Sequence, residues 1–249
     1  MTSGIRRRRG TLSDAADARE DGEMYSETPL PDGAALWRSL GSDGAVIPAD
    51  GCVDLILRDD RVFVAGPSTR WIATESDGET GSVGLRFAPG RAGRMLRTEL
   101  SDLADQLLPL DAIVHGEPWR HLHQAMMRYR EGATGIGQIS SIVEPASASS
   151  DWAPAVHSQA IAAVPATQVA SELGDSERTF RRRMLTTFGY GYATLVRIER
   201  AHRAQKLLRR GVPLSAAAAE AGFADQPHLS REFRRLVGAS PGQFASSSA

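Results

Sequence analysis

A short pattern written twice near the C-terminal end, between Pro165 and Phe244, restricts the fold more than any other feature of this 249-residue chain. Ala170 and Gly174 recur 48 positions later as Ala218 and Gly222, and Phe180, Arg182, Met184 and Gly189 recur 49 positions later as Leu229, Arg231, Phe233 and Gly238. Each copy has a small residue within a first helix, a glycine at a turn, an apolar-x-Arg-x-apolar run in a second helix and a glycine that ends it. Two helix-turn-helix units are predicted. The one-residue change of offset falls between Gly222 and Leu229, where a turn absorbs it.

Within the first unit, Val169 and Leu173 give one helix an apolar face, Gly174 permits the turn and Ser176 is placed to cap the next helix. Phe180, Met184 and Phe188 then fall at i, i+4 and i+8 as a buried stripe, while Arg178, Arg181 and Arg182 share another face. In the second unit Asp225 is the cap, Pro227 occupies the first turn, and Leu229, Phe233 and Leu236 form the stripe. Gln226, His228, Ser230, Arg231, Arg234 and Arg235 are left facing outward. Burying one stripe while showing arginines on another suits a helix that enters the DNA major groove, because Arg bonds guanine O6 and N7 and its neighbours hold phosphates. Between the units, Tyr192–Arg210 carries Leu195, Ile198, Ala201, Ala204 and Leu208 at helical spacing. A helix of that length spans about 28 Å at about 1.5 Å per residue. This is of the order of the ~34 Å between successive major grooves on one DNA face.

Charge divides the chain in the same place. From Asp151 onward there are 13 Lys and Arg against 8 Asp and Glu, whereas the preceding residues carry 16 against 22, so a net charge of −1 conceals a basic C-terminal part. Apolar residues make up 41% of the chain, but no run approaches the ~18 needed to span a bilayer. A single cysteine, Cys52, cannot form an internal disulfide or a cysteine-rich zinc site, which points to a reducing cytoplasm.

The N-terminal half reads differently. Residues 1–29 are expected to be a disordered tail; Arg6–Arg9 form a solvated cluster there, and fold-like character begins just after Met24, a candidate start. Residues 30–131 read as a mixed domain. Val53–Leu57 and Arg61–Ala65 make a hairpin, and Ser82–Phe87 a further strand. Short helices at Arg91–Thr98 and Ser101–Leu108, the latter capped by Ser101, precede a longer one at Glu117–Arg130. Residues 132–155 read as a linker, and Val156–Val164 as a preparatory helix within a domain spanning 156–249. The predicted fold class is thus a small β-rich α+β domain followed by an all-α domain of two helix-turn-helix units joined by a long helix.

The stretches ASELGDSERTFRRRM, RIERAHRAQKLL and EAGFADQPHLSREFRRLVGASPGQF resemble the AraC-type family of bacterial transcription regulators. The resemblance covers about the last hundred residues. It implies two helix-turn-helix units entering adjacent major grooves of double-stranded DNA, with no cofactor and no catalysis. By position, the first reader would use Arg178, Arg181 and Arg182, and the second Gln226, Pro227, His228, Ser230 and Arg231, with Arg235 alongside. Arg182 and Arg231 match positions whose family role is phosphate contact or scaffold rather than base choice. Ala217 stands where a larger aliphatic residue is usual. PADGCVDLIL, VFVAGPSTR and GLRFAPG resemble a domain found ahead of this reader in some members, implying a sensory or oligomerising module with a reduced cupin-like β core. A small-molecule effector, RNA polymerase and a second copy of the chain are the partners this implies.

Other candidates carry less. His121 and His123 lie two apart, on different faces of a helix, which with His115 makes a poor metal set. Cys52 adjoins an apolar strand and reads as a buried, inert thiol. Asp50 and Asp54 share one side of a strand without an evident partner. For the N-terminal domain three readings stay open: ligand sensing, recruitment of a protein partner, or catalysis through Asp50 or Asp54.

Overall fold

The computed structural model describes residues 25–30, 33–40, 44–74, 77, 80–132, 137–139 and 152–247; Arg6–Arg9 and Met24 lie outside them. Strands β1 (Tyr25–Pro29), β2 (Ala34–Ser39), β4 (Val53–Arg58), β5 (Arg61–Ala65), β7 (Ser82–Phe87) and β8 (Leu107–Pro109) form one antiparallel sheet in the order β1-β2-β7-β4-β5-β8. A two-residue ribbon pairs β3 (Val46–Ile47) with β6 (Ile72–Ala73).

Alternation along the strands decides what each face does. Leu36, Leu55, Leu85 and Phe87 point to one side, where helix α2 (Glu117–Arg130) covers them with Leu122 and Met126, all buried. Helix α1 (Gly93–Leu96) adds Met95 and Leu96 to this core. Trp37, Asp54 and Arg86 occupy the opposite face, Asp54 directly across from Arg86 on the neighbouring strand.

Helices α3 (Trp152–Ile161), α4 (Ala166–Glu172), α5 (Glu177–Phe188), α6 (Tyr192–Arg209), α7 (Leu214–Glu220), α8 (Gln226–Val237) and α9 (Pro241–Ser247) enclose a second core. Leu195, Ile198, Ala201 and Ala204 of α6 run through its centre, fully buried. Ala217 is also fully buried, among Phe223, Leu229 and Phe233. Among the described residues no helix is long and apolar enough to cross a membrane.

Three local expectations are corrected. Ser101–Leu108 is not a helix: a single 3-10 turn at Leu100–Asp102 gives way to β8. Asp105 there adopts a left-handed conformation (φ +57°) and accepts the Thr69 N–H and O–H, while Gln106 takes the Gly66 N–H, so the segment pairs with β5 instead of coiling. Tyr25–Pro29, assigned to the tail, is an edge strand in register with β2. The helix expected to begin at Val156 starts at Trp152, because the Trp152 ring packs against Phe180 and Phe188 and Ala153 is buried beside it in the sequence.

Candidate nucleic-acid interface

The duplication seen in the sequence is also a duplication of backbone bonds. In the first unit the turn closes by Gly174 N–H donating to Ser171 O and Asp175 N–H to Ala170 O; in the second, Gly222 N–H donates to Ala219 O and Phe223 N–H to Ala218 O. The following helices start alike. Ser176 Oγ accepts the Thr179 N–H at 3.2 Å, and Asp225 Oδ1 accepts the His228 N–H at 2.6 Å. Such caps satisfy amides the helix leaves unpaired and are each worth about 1 kcal/mol.

On α5, Phe180, Met184 and Phe188 are buried while Arg178, Arg181 and Arg182 are exposed on one face. Arg183 is not part of that face. Its guanidinium bonds Asp175 at 2.9 Å and lies 4.2 Å from the Trp152 ring centroid, fastening α5 to α3. On α8, Leu229, Phe233 and Leu236 are buried, Gln226, Pro227, Arg231, Arg234 and Arg235 exposed, and His228 and Ser230 half-buried. His228 is partly committed to the turn, because Nδ1 accepts the Ala224 N–H at 3.3 Å and the ring meets Phe223 edge-on at 5.4 Å. The two outward sets are therefore carried on matched scaffolds but differ in chemistry. The connecting α6, at 18 residues, spans about 27 Å.

Helix α3, the preparatory helix of this unit, and the N-terminal domain, whose contact with it no sequence pattern announced, both brace it. His157 Nε2 on α3 and Glu199 Oε1 on α6 are 2.8 Å apart, with His202 Nδ1 at 3.8 Å from the same oxygen. Burial alone would raise the Glu199 pKa, but the hydrogen bond with His157 and the nearby His202 outweigh it and hold it well below the usual carboxylate range. A depressed carboxyl pKa stabilises the fold above the unfolded value, near 4.5, and loses that contribution as pH falls below it. Glu199→Gln should therefore cost about 2 kcal/mol at neutral pH. The Tm gap between wild type and variant should close as pH is lowered from 7 toward 3; a gap that stays constant over that range contradicts the ion-pair assignment.

The N-terminal domain touches the C-terminal ends of both α5 and α8. At α8, the Ala49 N–H donates to Leu236 O at 2.7 Å and the Trp71 N–H to Arg235 O at 3.4 Å, so residues flanking β3 and β6 satisfy carbonyls that a helix end leaves unpaired. Gly238 ends α8 at φ +82°, and a Cβ there would lie 2.7 Å from Val46 Cγ1. At α5, Phe188 leads into Tyr190, whose buried hydroxyl donates to Gly51 O at 3.2 Å. Burial raises the Tyr190 pKa, keeping the phenol protonated as that donor. Gly51 itself sits at φ +66° with the Tyr190 hydroxyl where a Cβ would be, a position only glycine fills.

Behind this contact lies a buried ionic cluster. Arg86 Nε approaches Asp54 Oδ1 at 3.2 Å and Asp50 Oδ2 at 3.7 Å, and its Nη1 lies 3.6 Å from Glu27. The partner missing for Asp50 and Asp54 in the sequence is this arginine, brought across by strand register. Burial raises the Asp54 carboxyl, with Asp50 adding to it, while Arg86 and the Trp37 indole N–H at 2.6 Å pull against the shift. Cys52 is beside the cluster, and burial followed by Asp50 pushes its thiol well up, which disfavours the reactive thiolate. His121 pairs with Glu117 on its own helix at 3.7 Å, apart from His115 and His123, which line one cleft.

Comparison with known proteins separates the same two parts. A family model described as a helix-turn-helix domain matches residues 169–247, and one described as a domain of unknown function (DUF6597) matches residues 37–109. No curated protein matches the chain. Solved structures similar to it include an apo ToxT variant from Vibrio cholerae strain SCE256, at 13% identity over 91% of this chain and 97% of that one, with a TM-score of 0.45. They also include ToxT from Vibrio cholerae O395 bound to (E)-4-(8-methylnaphthalen-1-yl)but-3-enoic acid, at 12% identity over 92% and 99%, with a TM-score of 0.43. With its paired turns, paired caps and matching residues, the stretch 169–247 is an AraC-type helix-turn-helix domain, carried behind a DUF6597 domain at residues 37–109.

Proposed function

We propose that this DNA-binding transcription regulator reads one asymmetric site with both α5 and α8, placed in adjacent major grooves on one face of the duplex, and that its N-terminal domain modulates the pair. The observation that carries the reading is the presence of two capped helices with unlike exposed faces on one continuous core, spaced by α6. Arg178, Arg181 and Arg182 serve the first groove; Gln226, Ser230, Arg231 and the free edge of His228 serve the second, with Arg235 on the phosphates. Arg182 and Arg231 hold backbone more than they choose bases. Modulation has a physical route, since Ala49, Gly51 and Trp71 contact the ends of both readers and a shift in that docking changes their relative orientation. The protein would act in the cytoplasm, where its DNA is.

Hydroxyl-radical footprinting on a site recovered by genome-wide mapping tests this. One chain should protect two patches about one helical turn apart on one face, and affinity should fall linearly with salt on a log–log plot through counterion release. A single protected patch, or a footprint that needs a palindrome, argues against two readers per chain.

A further inference from the structure

The N-terminal domain has a cleft that neither the readers nor the ionic cluster uses. It has a volume of about 340 Å³ and lies between the start of β5, the turn at Leu110–Ala112 and the first turns of α2. This is near the lower end of the ~300–1,000 Å³ typical of small-molecule sites. Its floor is apolar: Val62 and Leu110 are buried, and Val114 and Trp119 half-buried.

The polar groups around that floor are not balanced. Asp60 is taken by Arg130 at 3.0 Å, and Asp111 faces Arg61 at 4.0 Å. Arg120, on the rim, has no acidic partner among the described residues. His123 lines the same cleft, and its Nε2 is buried without a hydrogen-bond partner among the described residues. A buried ring nitrogen left unpaired is unfavourable, and a ligand atom would supply the missing partner. No side chain caps the first turn of α2, whose N-cap Gly116 also lines the cleft.

We propose that this cleft binds a small organic monocarboxylate with an aryl-alkyl or branched-alkyl body. The carboxylate meets Arg120, the free fork suited to bidentate pairing, and bonds His123 Nε2; the body lies on Trp119, Val62, Leu110 and Val114. The cleft would then be the sensory site of the N-terminal domain. That consequence rests on the proposed regulatory function, whereas the binding itself does not.

Calorimetry on the full chain, with phenylacetate and 3-methylbutanoate as probes and their carboxamides as neutral controls, tests the site. At least one acid should bind more than about ten-fold tighter than its amide. Arg120→Gln, at an exposed position, should weaken the acid about ten-fold with no change in the unliganded Tm, and the acid should shift the His123 ring resonances in NMR. Lack of binding by either acid up to about 10 mM, equal binding of amide and acid, wild-type affinity in Arg120→Gln, or an unmoved His123 signal overturns the proposal. DNA affinity of the unliganded chain, measured on the same preparation, is independent of these outcomes, so failure of the site and failure of the DNA-reading proposal are told apart.

Discussion

Replacing Arg178 and Arg181 together by alanine is expected to lower affinity for the specific site by about 2–6 kcal/mol, if each makes one base contact worth about 1–3 kcal/mol. Both side chains are exposed on α5, away from the buried stripe of Phe180, Met184 and Phe188, so the fold should survive. An unchanged Tm would confirm that the loss is one of binding. The salt dependence then separates two kinds of contact. Loss of a base contact relaxes sequence preference with little change of slope, whereas loss of a phosphate contact lowers the log–log slope by about 0.9 and weakens all sequences alike. The equivalent change in the second reader, Gln226→Ala with Arg231→Ala, should cost less. Only part of that face is free, because His228 is drawn into the turn by Ala224 and Phe223, and Pro227 has no N–H to offer. Unaltered affinity and preference in the Arg178 and Arg181 variant, or equal losses from both readers, would defeat the assignment.

The parts of this fold legible in the sequence are those fixed by nearby residues. Caps, turn glycines and stripes at i, i+4 and i+8 lie within one helix or one turn, and Ser176, Asp225, Phe180 and Leu229 are found in the roles their spacing implied. The hairpin of β4 and β5 and the helix Glu117–Arg130 were readable for the same reason. What escaped depends on distant partners. Tyr25–Pro29 is too polar to announce a strand; it is held by β2, by stacking of Tyr25 on Trp37 and by Glu27 reaching Arg86. The segment after Ser101 looks helical by composition, but the open edge of β5 and the Thr69–Asp105 bonds override that preference, and Pro109 fits an edge strand. The exposed arginines of α5 and α8 could be named from periodicity. The docking of Ala49 and Gly51 onto Leu236 and Tyr190 could not, because it joins positions far apart in the chain and its acceptors, Leu236 O and Gly51 O, are backbone atoms that carry no side-chain signature.

Loss of Arg86 should be the most damaging single change in the N-terminal domain. Its guanidinium is the cation among Asp50, Asp54 and Glu27, and Asp54 is also bonded by the Trp37 indole. Arg86→Ala leaves these carboxylates clustered and mostly out of water, which typically costs about 3–5 kcal/mol, a large share of the ~5–15 kcal/mol that holds a domain together. The same cluster flanks Gly51, so the damage should spread to the reader contacts: the Ala49 amide, bonded to Leu236 O, should exchange with solvent faster, and Tyr190 should lose its acceptor. Because the penalty comes from stranded charge rather than from lost attraction, removing Asp54 as well should return much of the stability. Arg86→Met with Asp54→Leu should thus melt well above Arg86→Ala. Thermal melts and hydrogen exchange decide the matter. A wild-type Tm in Arg86→Ala would mean the cluster is solvated. A lowered Tm with unchanged exchange at Ala49 would mean that the sheet and the readers are not mechanically joined, and that modulation of the reader pair must take another route.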